Sequence, residues 1–244
     1  MDILYIVGTG STWDNNELRY SLRSIAKNGR NVDRVFLVGY KPDFVSKEVV
    51  YIPCDDPYPA KHKNILHKTI CAVENSDISR HFLVSSDDHF YIKPTDFDAL
   101  PVYYRNEEIP AVPPKGQQYS PYHLSLVATR NLLIQNALPV FQTNPHCNTH
   151  WDVDVFERYR YLFEQCFRLT MGGEMNCVMG NLLIKEGAEH VPFNDSKLGT
   201  KCNEKNMRER VGDANCISGV SGIVNTFLPD WLAREFPDKC RYEV

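Results

Sequence analysis

Four short apolar runs constrain this chain more than any other feature. They are Asp2–Val7 (D-I-L-Y-I-V), Arg34–Gly39 (R-V-F-L-V-G), Glu48–Pro53 (E-V-V-Y-I-P) and Phe82–Leu83–Val84. They are rich in β-branched and aromatic residues, and they lack the polar alternation of a strand with one wet face. Such runs read as strands covered on both sides. Two segments with helical periodicity separate them. In Asp14–Lys27, Leu18, Leu22 and Ile25 form an apolar stripe. Asp14 or Asn15 is placed to cap that helix, and Gly29 to end it. In Ala60–Asn75, Ile65, Leu66, Thr69, Ile70 and Val73 turn inward. The order is β-α-β-β-α-β. It predicts an α/β fold, a mostly parallel central sheet with helices on both faces and right-handed crossovers.

The last apolar run ends in Ser85-Ser86-Asp87-Asp88-His89. A buried strand that finishes in adjacent carboxylates sets them at the carboxyl edge of the sheet, where open α/β folds bind ligands. Neighbouring carboxylates repel each other and favour a cation. Hard divalent ions such as Mg²⁺ or Mn²⁺ take oxygen ligands and share them with substrate phosphates. Asp87 and Asp88 are therefore expected to hold a divalent metal that grips a diphosphate. The small loop Gly8-Thr9-Gly10 after the first strand allows close backbone approach to a ligand. It is neither a dinucleotide fingerprint nor a phosphate-binding P-loop.

The 244 residues suit a single unit, with the strand–helix pattern in residues 1–100 and an elaborated second half over 101–244. The second half is expected to be irregular but to contain helices over Leu126–Ala137, Val155–Arg168 and Trp231–Phe236. Phe141–Asp154 reads as a polar segment rich in potential ligands, and Asn194–Arg210 as an exposed basic loop. A net charge of −4 excludes a global basic field for nucleic acid or an anionic membrane. No apolar run reaches membrane-spanning length, and the first strand starts without a basic leader. The eight cysteines are scattered with no C-x-x-C spacing. Free thiols and a cytoplasmic location are the expectation.

Two stretches resemble known families. The order of strands, loops and helices, ending in paired acids, is similar to the nucleotide-sugar-binding half of GT-A-fold (Rossmann-like) glycosyltransferases. Their Asp-x-Asp motif stands where Asp87-Asp88-His89 stands here. The nine residues Asn16–Ser24 (N-E-L-R-Y-S-L-R-S) resemble a segment of the Stealth family, which transfers sugar-1-phosphates, and F-L-V-S-S-D-D-H-F-Y resembles another. The tail from Phe236 to Glu243 is similar to endings of phage-encoded relatives.

The resemblance implies a metal-dependent glycosyltransferase that uses a nucleotide sugar and Mn²⁺ or Mg²⁺. It implies a nucleotide-sugar-binding half over residues 1–100 and an acceptor-binding half over 101–244, and the implied donor site comprises Gly8, Thr9, Gly10, Arg19, Arg23, Asp55, Asp56, Lys63 and Asp87. Asp87, Asp88 and His146 are the implied metal ligands. Asp152, Glu174 and His150 are candidates for the acid–base role, with His190 a further candidate from the C-terminal half. The implied acceptor is a saccharide hydroxyl. A hydroxylated base of phage DNA is a second option, motivated by the basic residues between Lys197 and Arg210. Sugar-1-phosphate transfer and a non-catalytic carbohydrate- or nucleotide-binding domain are the rival readings.

Overall fold

A computed structural model describes residues 1–105, 108–194, 196–199, 201–219 and 223–244. In chain order, β1 (Asp2–Val7) leads to α1 (Asn16–Asn28), a short β2 (Gly29–Arg30), β3 (Val35–Gly39) and β4 (Val49–Ile52). Then follow α2 (Lys61–Asn75), β5 (His81–Ser85), β6 (His89–Tyr91), β7 (Thr95–Asp96) and β8 (Val102–Tyr104). Next come α3 (Pro121–Gln135), β9 (Thr149–Asp152), α4 (Val153–Arg158), α5 (Arg160–Arg168) and α6 (Met175–Lys185). The chain continues through β10 (His190–Pro192), α7 (Glu204–Val211), β11 (Cys216–Ser218), a 3₁₀ turn (Ile223–Asn225) and α8 (Leu228–Glu235).

The central sheet has five strands in the order β4-β3-β1-β5-β9. All pairs are parallel except β5–β9, which is antiparallel. The fold is thus α/β, with a mixed, mostly parallel sheet. Its strand pattern follows from side-chain alternation. Ile3, Tyr5 and Val7 of β1 pack with Leu18, Leu22 and Ile25 of α1 on one face. Leu4 packs with Leu66 and Ala72 of α2 on the other, together with Trp151, Phe156 and Phe163. Each large side chain so buried contributes about 1.5–3 kcal/mol.

From β1 the chain steps outward through β3 to β4, then returns through α2 to β5 on the opposite side of β1. The strand order therefore reverses between β1 and β5. A crevice opens at such a reversal, beyond the carboxyl ends of the strands. The Asp87–Asp88 turn between β5 and β6 lies at that edge.

A third apolar cluster joins the β6–β11 ribbon to α7 and α8 through Phe90, Met207, Ile217, Leu228 and Leu232. Among the described strands, β6 pairs only with β11. On its other side α1 supplies polar side chains in place of a strand. Ser21 Oγ donates to His89 O at 2.6 Å, Ser24 Oγ accepts from Tyr91 N–H at 3.0 Å, and Asn28 Nδ2 donates to Tyr91 O at 2.6 Å. The serines of the N-E-L-R-Y-S-L-R-S segment thus hold the strand that follows the acids.

Several local expectations are corrected. Thr149–Asp152 is a strand, and Trp151 sits wholly inside the core. The expected helix over Val155–Arg168 is two helices with a break at Tyr159. The basic segment near 200 carries α7, opened by a reciprocal capping box between Asn203 and Asn206. Asn15 precedes α1 but makes no side-chain cap; the Ser11 hydroxyl accepts from Trp13 N–H and Asn15 N–H instead. Gly29 follows α1 with extended backbone, not the left-handed conformation of a helix-ending glycine. No described helix is long and apolar enough to cross a membrane.

Candidate functional site

The site is built around the turn after β5. Ser86 N–H donates to His89 Nδ1 at 3.3 Å, which puts the proton of the neutral ring on Nε2. Burial pushes the His89 pKa down to about 4, helped by the neighbouring His146 and Lys197 and opposed by Asp88 and Asn148. Asp87 is displaced the other way. Burial, Asp88 and Glu17 push its carboxyl up to about 7, against the pull of Lys61 and its own backbone N–H. Three acidic side chains thus face one ammonium, a balance that favours added positive charge.

Lys61 opens α2, and the start of that helix is unusual. Its cap residue is Ala60, which offers no side-chain acceptor, and no acid sits in the first turn. Lys63 N–H donates to Ala60 O at 3.0 Å, which leaves the N–H groups of Lys61 and His62 for another acceptor. One residue on, His62 turns to Glu174, with Nδ1 2.8 Å from Oε1. That contact is off the line of a hydrogen bond, so Glu174 Oε1 has no donor among the described residues. Its Oε2 accepts from Asn144 Nδ2 at 3.0 Å.

Glycines allow this approach. At Gly172, φ is +71°, and a Cβ would lie 2.9 Å from Lys63 N and 3.1 Å from His62 Cβ. At Gly173 a Cβ would lie 2.4 Å from Cys166 Sγ. α3 pins the turn from behind, with Ser125 Oγ donating to Gly172 O and Glu174 N–H donating to Thr129 Oγ1. The segment Asn144–Asn148 joins the two clusters. Asn144 touches Glu174, His146 touches Lys197, and Asn148 faces His89.

Around the ends of β1, β3 and β4 the first-half residues are also ordered. Lys68 is buried, and its ammonium donates to Val7 O at 2.9 Å and pairs with Asp56 Oδ1 at 2.6 Å. Asp56 in turn lies beside Gly8, where a Cβ would come 3.6 Å from Oδ2. Thr9, Gly10 and Asp55 are exposed on the same edge.

No family model matches this chain, and no curated protein matches it.

The structure redistributes the residues expected at this site. Glu174 is near the α2 start, and Asp87 faces Lys61 there. Arg19 and Arg23 are not at a phosphate site. Both pair with Glu243, whose side chain is fully buried; Arg23 grips it with Nε at 2.7 Å and Nη2 at 2.9 Å. Burial would raise the Glu243 pKa, but the Arg23 hydrogen bonds, the Cys240 N–H and the two positive charges hold it below the usual glutamate range.

Asp152 and His150 are misplaced as bases. β9 runs antiparallel to β5, so Asp152 stands opposite His81, at the far edge of the sheet from Asp87. There it caps α4 by accepting from Val155 N–H. His150 faces His81 at 3.0 Å, and burial pushes its pKa down to about 4. Lys63 lies over the Phe167 ring, and Lys61 is the lysine facing Asp87. His146 stands with its Nε2 3.1 Å from the Lys197 ammonium. His190 is exposed and contacts Ala188 O.

Among the described residues no group of three or more His, Cys, Asp or Glu side chains converges on a metal position. Asp87 and Asp88 remain as a two-carboxylate site, which suits an ion that takes its other ligands from phosphate and water. Sequence reasoning missed Lys61, His62, Lys68 and Lys197. The only available signal was the spacing of Lys61 and His62 at a helix start with no capping residue.

Proposed function

We propose that this protein is a GT-A-like transferase that moves a sugar from a nucleotide-diphosphate donor to a hydroxyl acceptor. The observation that carries the reading is the Asp87–Asp88 pair at the strand-order reversal, with Asp87 pushed up to about 7. A carboxylate pair under that repulsion, beside an uncapped helix start and Lys61, matches the needs of a divalent cation and a diphosphate together.

Asp87 and Asp88 would hold the cation. When bound, it supplies Lewis-acid stabilisation of the charge that grows on the leaving diphosphate. The remaining work falls to the chain itself. Lys61 and the first N–H groups of α2 bind the phosphates and oppose the same charge. Asp56, steadied by Lys68, offers an acceptor for a sugar or ribose hydroxyl, and Gly8 lets the donor approach the backbone. His62 takes the proton from the attacking hydroxyl, and the Glu174 carboxylate beside its Nδ1 stabilises the imidazolium by charge. The acceptor oxygen bonds to the anomeric carbon as the bond from that carbon to the diphosphate oxygen breaks. The electron pair leaves with the diphosphate.

The test is a thermal-shift screen of nucleotide sugars with and without Mn²⁺, followed by product analysis. A donor that binds native protein raises its apparent stability by mass action. Free nucleoside diphosphate is the expected product, and Asp88→Asn should abolish the Mn²⁺-dependent shift. Nucleoside monophosphate would reassign the reaction to sugar-1-phosphate transfer. No shift with any nucleotide sugar would overturn the reading.

A further inference from the structure

We propose that a second cleft, beside the β6–β11 ribbon, binds a neutral saccharide and is the acceptor site of the reaction above. The acceptor role rests on the transferase reading; the binding itself does not. The cleft encloses about 480 Å³, within the usual range for small-ligand sites. Tyr103 and Phe193 form one wall, with ring centroids 5.1 Å apart and planes tilted by 57°. Both are half-buried and present apolar ring surface. Around them stand Asn194, Asp213 and Asn215. Their side chains, and the Tyr103 hydroxyl, have no hydrogen bond or ion pair with another described residue.

This combination selects its ligand. Among the described residues, Asp213 is the only charged side chain in the lining, so the cleft opposes an anionic ligand such as a nucleotide. The Lys93 ammonium is turned onto Gly212 O at 3.2 Å. A pyranose has an apolar C–H face for the rings and a rim of hydroxyls for one carboxylate and two amides. An apolar peptide or lipid would leave those polar groups unpaired, a desolvation cost without return.

The cleft is also connected to the site of chemistry. His89 borders the acids and lies two residues before Tyr91, which lines the cleft. Alternation puts both side chains on one face of β6, opposite Ser218 and Cys216 of β11. Two residues of strand span about 7 Å. A sugar held against Tyr103 is therefore at the right end of the ribbon to extend toward the acids.

The experiment is saturation-transfer NMR on the whole protein with the methyl glycosides of glucose, galactose, mannose and N-acetylglucosamine, and with maltose and lactose. Asp213→Asn and Asn194→Ala serve as variants, since both side chains are exposed and support no other group. At least one sugar should bind saturably, and each variant should weaken it by about tenfold. The shift given by nucleotide sugar with Mn²⁺ should stay unchanged in both variants. Three results would overturn the proposal: no sugar binding, sugar binding untouched by both variants, or sugar displaced by a nucleoside diphosphate alone. A failed donor screen with an intact saccharide result would sink the transferase reading and leave the cleft standing.

Discussion

Replacing Asp87 with Asn should make the metal-free protein more stable at neutral pH and leave it unchanged in acid. Burial, Asp88 and Glu17 raise the Asp87 carboxyl from its ordinary 3.8 to about 7. A raised carboxyl favours the folded state below the ordinary value, and that favour is lost as the pH rises through the folded value. Each power of ten is worth 1.36 kcal/mol, so the step from 3.8 to about 7 corresponds to on the order of 4 kcal/mol. The assay is urea unfolding of wild type and Asp87→Asn from pH 4 to pH 8.5 in EDTA. The stability gap should be near zero at the acid end, widen between pH 4 and 7, and level off above. Mn²⁺ at pH 8 should then narrow the gap by stabilising wild type alone. A gap that is flat with pH would show that burial and the neighbouring acids do not raise the Asp87 carboxyl in the folded protein. The account of the site would fall with it.

Four other substitutions follow from named contacts. Glu243→Ala removes the fully buried partner of Arg23 and Arg19 and should cost about 3 kcal/mol in urea unfolding at pH 7. Because the Glu243 pKa is lowered, this loss should be full above the ordinary glutamate range and fade as the pH falls below it. Gly39→Ala should destabilise by about 3 kcal/mol or more, since φ is +106° and a Cβ would lie 2.2 Å from Val7 O and 2.9 Å from Lys68 Nζ. A fully stable Gly39→Ala protein would contradict the packing described at the end of β1. His62→Gln should lower kcat by about 10²- to 10⁴-fold while donor affinity persists, and Glu174→Gln should alter the pH profile of kcat. Equal losses in donor binding and kcat would make the pair structural.

The first half of the chain was legible because its signals are local. Asp2–Val7 is the strand its composition indicates, and Lys61–Asn75 is the helix its periodicity indicates. Position at the sheet edge also followed for Asp87 and Asp88, since a strand's end is set by the strand. The second half was less legible because tertiary pairing overrides local pattern there. Thr149–Asp152 carries polar residues but forms a strand by pairing with β5, and that antiparallel pairing sends Asp152 to the wrong edge. Arg19 and Arg23 look free on a helix face until Glu243 returns from the far end of the sequence. The position of His62 at an uncapped helix start does not point to Glu174, and their contact emerges only when Gly172 and Gly173 bring Glu174 against it.

The clamp on Glu243 has a consequence for how the molecule is made. Residues 220 positions apart complete one ion pair, so during synthesis α1 leaves the ribosome long before the carboxylate it needs. Until then its two guanidinium groups wait in water, and the strand leaning on Ser21 and Ser24 waits with them. Closing a contact of such sequence separation is slow, which makes the docking of this segment a late folding event. A nascent chain halted short of residue 243 should present the apolar ring of Phe44 and an unlocked first helix to chaperones rather than to substrate.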